Sequence, residues 1–289
     1  MGLFSPNYNK PGPGVDVNEP PKRRFFLFLE LFFRKFTKLI HLNFLYAITL
    51  IPAFVILFFL GALAFAPLFE NLAPLILEAY GEYGDEVLGT TILYMNLLFP
   101  LMILCLWGGG PTTAGFAYVL RNYSREEHSW INSDFFEHTR KNFKQSIVVF
   151  AIDLVVIFVF YIGIMFYSAQ TGAMFFMTYV LLLFLVIYTL MHLYIYPMMV
   201  TFDLSLRALY KNALMFALMK LVPNLIIAAV IIAIVIGLAQ LIFPFGLFFA
   251  VPIILFSLCG YISVFWTYPT LEKYMMHADE AGKSDNDLI

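Results

Sequence analysis

Between Lys38 and Arg121 the chain contains no lysine or arginine. Only 12% of its residues are charged, against roughly a quarter in soluble domains, and this excludes a body wetted on every side. Cysteine is almost as scarce. Cys105 and Cys259 are the only two, both inside apolar runs without a CxxC or a histidine neighbour, which points to buried thiols rather than a disulfide or a metal site. No His-Glu-x-x-His and no Gly-x-Ser-x-Gly occurs, so an intramembrane enzyme lacks its acid, base or nucleophile. The cluster Gly108-Gly109-Gly110 has no lysine after it, only Pro111-Thr112-Thr113, so it is no phosphate-cradling loop. A formal charge of −2 argues against a nucleic-acid surface.

What is present is hydrocarbon. Hydrophobic residues make up 62% of the 289, and the mean hydropathy is +0.84. Six apolar segments lie near 44–66, 90–107, 146–167, 174–196, 222–242 and 247–266, each close to the ~20 residues that a helix needs to cross a bilayer. The expected fold is an all-α membrane protein in which six transmembrane helices form three helical hairpins within residues 44–270. All 17 lysines and arginines fall in residues 1–43, 121–144, 201–220 and 267–289, so these are expected inside and both termini are cytoplasmic in the cell membrane. Residues 67–89, with Glu70, Glu78, Glu82, Asp85 and Glu86, are expected as an outer loop. The glycine cluster at 108–110 reads as the chain's exit from the membrane.

Two further pieces flank this domain. Residues 1–21, rich in proline and glycine, are expected as an extended cytoplasmic arm, and 271–289 as a cytoplasmic tail. Over 22–43, Phe25, Phe28, Leu29, Phe32, Phe36, Leu39 and Ile40 recur at helical spacing. This predicts an interfacial amphipathic helix whose Arg23, Arg24, Arg34, Lys35 and Lys38 meet anionic lipid; a helix packed on protein is the alternative. His128 and His138 lack zinc spacing, so no metal or other cofactor is expected.

Several landmarks together resemble the YesL-like family of bacterial membrane proteins: Lys10-Pro-Gly-Pro-Gly14, Pro21-Lys-Arg-Arg-Phe-Phe-Leu-Phe28, Leu42-Asn43, Gly110-Pro111-Thr112 and Lys141-Asn142-Phe143-Lys144. The resemblance implies a cytoplasmic-membrane protein of a Gram-positive bacterium, encoded beside carbohydrate importers, glycan-degrading enzymes and sensor kinases, without an established activity. It makes Gly110, Pro111, Thr112 and Asn142 a candidate cytoplasmic-face motif. It also favours a non-catalytic accessory or scaffold subunit, whose partners are the bilayer and a carbohydrate transporter or sensor kinase. A small-solute permease or channel is the alternative, and its marks would be broken helices and intramembrane ionisable groups. Asp153, His192 and Gln240 are the candidates. Asp153 and His192 lie on either side of the turn Ser168-Ala-Gln-Thr-Gly172, so equal climbs along two antiparallel helices bring them to similar depth. Such a pair is either a structural clasp or a proton or solute site.

Overall fold

The computed structural model describes residues 22–241 and 250–276. The expected arm, residues 277–289 of the expected tail, and the beginning of the sixth apolar segment lie outside them. Every regular element among the described residues is helical.

The segment expected as one amphipathic helix is two. α1 (Arg24–Arg34) and α2 (Phe36–Thr49) meet at Lys35, whose φ and ψ of −103° and 7° leave the helical range. α3 (Ile51–Tyr80) then starts with Pro52 in its first turn, where a missing N–H is harmless, so the first long apolar helix begins at 51 rather than 44. It also runs past the expected loop. Pro67 and Pro74 lie inside α3, and a single 3₁₀ turn, Gly81–Tyr83, connects it to α4 (Gly84–Leu106). The acidic residues of 67–89 therefore ride on two adjoining helices, Glu70 and Glu78 on α3, Asp85 and Glu86 on α4, with Glu82 in the turn between them. Prolines and acids look like a loop in sequence, yet each proline removes only one hydrogen bond, and Leu72, Leu75, Ile76 and Leu77 sustain the apolar character around them.

After α4 come α5 (Pro111–Ser124) and α6 (Ile131–Lys141), then α7 (Phe143–Ser168) and α8 (Ala173–Met199). They are followed by α9 (Leu206–Met219), α10 (Leu221–Leu241) and α11 (Phe256–Leu271), the last entered through a π-turn at Val251–Leu255. Five stretches are long and apolar enough to cross a membrane: Ile51–Leu106, which holds both α3 and α4, then Phe143–Ser168, Ala173–Met199, Leu221–Gln240 and Val251–Met276. Their outward faces carry large apolar side chains, such as Phe59 at 64% and Leu63 at 72% exposure, which water would penalise and lipid accepts.

The core gathers around α5, of whose 14 residues ten are buried. Tyr46 of α2 stacks on Phe116 of α5 with ring centroids 3.9 Å apart, and Phe256 of α11 meets Tyr46 edge-on. α2 also repairs the irregular entry to α11. Pro252 has no N–H to give, and the Asn43 side chain donates to the Val251 and Pro252 carbonyls at 2.7 and 2.8 Å while accepting from the Ser257 N–H at 2.9 Å. Asn43→Ala strands all three groups in an enclosed site and should lower stability by about 2 kcal/mol. An unchanged unfolding midpoint in a denaturing-detergent titration would show that these groups find other partners.

Candidate functional site

Asp153 lies ten residues into α7 and His192 seven before the end of α8, about 15 and 10 Å along helices that run past each other. The structure brings them together. His192 Nε2 is 2.9 Å from Asp153 Oδ1, and Tyr188, one turn before His192, donates its hydroxyl to the same oxygen at 2.7 Å. His192 Nδ1 is 3.0 Å from the Tyr188 carbonyl, which can only accept, so Nδ1 carries a proton. One more proton then lies between Nε2 and Oδ1. Whether it sits on the ring or on the acid, the pair is neutral as a whole, which is how two ionisable groups are tolerated in hydrocarbon.

The third wall is aromatic. The Trp107 ring stacks on His192 at 5.0 Å, meets Tyr188 edge-on at 5.0 Å, and donates Nε1–H to Thr189 at 3.0 Å. Trp107 closes α4, so α4 ends beside residues about two to three turns before the end of α8. The glycine cluster is thus a break within the bundle, not an exit from it. Gly108 and Gly110 have φ of +83° and +91°, a region that disfavours other side chains, and Gly109 donates its N–H to Thr113 Oγ1 at 2.8 Å. Thr113 Oγ1 also pairs with Tyr46 Oη at 2.7 Å. A helix that stops inside a packed bundle leaves backbone groups unpaired, and these hydroxyls supply part of what water would have given.

A cavity of about 50 Å³ lies against this break, lined by Trp107, Gly108, Thr113, His192 and Tyr196 among others. The Tyr196 hydroxyl and Asp153 Oδ2 are buried without hydrogen-bond partners among the described residues. The space suits ordered water, which needs roughly 10–15 Å³ per molecule, and is far below the roughly 300 Å³ at which solute pockets begin. On the other side of Trp107, Phe65, Phe99 and Phe160 help to line a 320 Å³ cavity that holds no charged residue.

The candidate motif is not one site. Gly110 lies beside Phe150, eight residues or about 12 Å along α7 from Asn142, while Asn142 caps the end of α6 by donating to the His138 carbonyl at 2.9 Å. Gln240 donates to Tyr94 at 3.1 Å, away from the pair. Of the five basic residues expected to meet anionic lipid, three have protein partners. Arg24 donates to the Phe265 carbonyl and lies 4.7 Å from that ring, Arg34 pairs with Glu126 at 2.6 Å, and Lys35 lies 5.2 Å from the Tyr123 ring. The phenylalanine floor packs on protein too: Phe28 stacks on Tyr261 at 5.2 Å. Arg23 and Lys38 make no such pairing among the described residues.

Sequence reasoning missed Trp107, Tyr188 and Thr113. Tyr188 stands four residues before His192, which places it on the same face, and that spacing was the available signal. The thiols of Cys105 and Cys259, distant in sequence, are neighbours and unbridged. No group of three metal-ligating side chains occurs among the described residues.

Exposed apolar helices surrounding a neutralised polar pair define a multi-pass helical membrane protein. Residues 92–164, from α4 through the glycine break to α7, match a family model described as "Protein of unknown function, DUF624". No curated protein and no solved structure matches.

Proposed function

We propose that the chain is a non-catalytic accessory or scaffold subunit in the cell membrane, serving a carbohydrate importer or sensor kinase. Its stretch Ile51–Leu106 crosses twice, making six crossings in three hairpins, α3–α4, α7–α8 and α10–α11. The observation that carries the reading is α6. This short helix is held to α5 through buried Phe135 and Thr139, yet presents Phe136, Glu137 and Arg140 outward beside Trp130, which is 71% exposed. An exposed tryptophan on a rigidly mounted helix is the type of anchor that interfaces use. The choice of partner rests on the resemblance to the YesL-like family.

A permease is the second reading, favoured by the broken helix beside Asp153 and His192. Affinity purification from native membranes tests both. A transporter or kinase subunit that accompanies the wild type, and is lost in a folded Trp130→Ala/Phe136→Ala variant, supports the first. Solute uptake that depends on the chain in vesicles free of other proteins would replace it with the second.

Orientation has its own test. Ser133→Cys on α6 and Glu82→Cys at the α3–α4 turn place probes at two exposed positions. A membrane-impermeant thiol reagent outside intact cells should label the Glu82 variant alone. The opposite pattern would invert the topology.

A further inference from the structure

Arg121 of α5 is only 9% exposed. Its guanidinium donates to Asn122 Oδ1, to the Val200 carbonyl at 3.1 Å and to Thr201 Oγ1 at 3.3 Å, and it lies 4.4 Å from the Tyr118 ring. All of these partners are neutral. Among the described residues no carboxylate comes within ion-pair distance, and the two nearest acids in sequence are engaged elsewhere, Glu126 with Arg34 at 2.6 Å and Glu127 with Arg125 at 2.9 Å. Burial pushes the Arg121 guanidinium below its ordinary value, but an arginine does not give up its proton in a protein. An enclosed charge without a counter-charge is the exception among buried ions, and its field acts on whatever occupies the adjoining space.

That space is a polar cleft of 280 Å³ between the α6–α7 turn and the link from α8 to α9. Val200 and Thr201, which hold Arg121, form part of its wall. His138, Lys141, Gln145 and Asp203 also line it. The Lys141 ammonium is exposed and pairs with no carboxylate among the described residues. The His138 ring stacks on Tyr118, so Tyr118 lies between it and Arg121. Burial pulls the His138 imidazole below its usual value, Glu137 opposes this, and Arg121 and Lys141 add to it. The ring is therefore neutral near pH 7 and offers a hydrogen bond rather than a charge. Asp203 is the one carboxylate on the rim.

We propose that this cleft binds a phosphate group, contacted by Lys141 and drawn by the field of buried Arg121. Two positive charges against one negative favour an anion. The volume, just under the roughly 300 Å³ where ligand pockets begin, suits a phosphate with a small substituent rather than a disaccharide. The cleft lies where the apolar helix α7 begins and α8 ends, so the phosphate can belong to a lipid headgroup or to a soluble ester.

The test uses the full chain in a neutral detergent, with glycerol phosphate titrated by calorimetry and retention of phosphatidic acid against diacylglycerol read by native mass spectrometry. Lys141→Ala, at an exposed position that folding tolerates, should weaken phosphate binding about tenfold, as loss of a charge-assisted hydrogen bond does. Asp203→Asn should strengthen it by removing repulsion, and Lys144→Ala, outside the cleft, should leave it unchanged. Lys141-dependent binding of glycerol phosphate identifies a soluble ester, and Lys141-dependent retention of phosphatidic acid alone identifies a headgroup. If neither probe binds, or if binding ignores Lys141 and Asp203, the site is overturned.

Discussion

Asp153→Ala is expected to destabilise the folded bundle by about 3–5 kcal/mol, the range for removing one partner of a buried pair. The loss exceeds that of one hydrogen bond because two hydrogen bonds converge on Oδ1. Without the carboxylate, Tyr188 loses its acceptor, and His192 must either turn a bare Nε2 into an apolar cavity or carry an unbalanced charge there. Asp153→Asn should be much milder, about 1–2 kcal/mol, since an amide of the same shape can accept from Tyr188 or donate to Nε2. The coupling between Asp153→Ala and His192→Ala, read from denaturing-detergent titrations of both single variants and the double, should be favourable by about 1–3 kcal/mol. Strict additivity would mean that the pair contributes nothing as a clasp. Asp153→Asn then serves function: a folded variant that has lost solute uptake would select the permease reading, and one that keeps its partner would select the accessory reading.

Gly115→Ala should prevent α6 from docking. A Cβ at Gly115 would lie 2.1 Å from the Phe135 carbonyl oxygen and 2.4 Å from Thr139 Oγ1. The nearer atom is backbone, which cannot rotate aside, so α5 and α6 must separate. Overpacking typically costs about 1–3 kcal/mol, and this case should exceed that range because a helix–helix contact is lost with it. Gly237→Ala in α10 is the control. Nothing lies within 4 Å of its added Cβ, so it should be neutral or, through better helix propensity, stabilising by up to about 1 kcal/mol. Monodispersity after heating, together with protease cutting near Arg125, reads the outcome. Equal stability of the two variants would mean that the α5–α6 crossing is looser than its geometry.

Local rules and long-range packing divide the chain's features unevenly. Apolar length is a local property, so the presence of the long helices was legible, though not that α3 runs on to Tyr80, and so was the segregation of lysine and arginine. The i, i+4 spacing of Tyr188 and His192 was equally visible, although it went unused. The depth of the glycine break was not. Gly108, Gly109 and Gly110 announce where the helix stops, but nothing local states that α4 ends opposite His192 rather than at the bundle's edge. The same holds for α1, whose basic and aromatic residues suit a lipid headgroup and an α11 surface equally well.

What the sequence by itself determined is the solvent of each segment, because hydrocarbon and water select side chains one at a time, and hydropathy adds along a helix. Only the tertiary structure decided which polar groups meet. Asp153 with His192, Asn43 with the entry to α11, and Arg121 with Val200 are separated by 39 to more than 200 residues or lie on different helices. Each arises because a polar group in an apolar surrounding must find a complement, and helix packing alone fixes which complement comes within 3 Å.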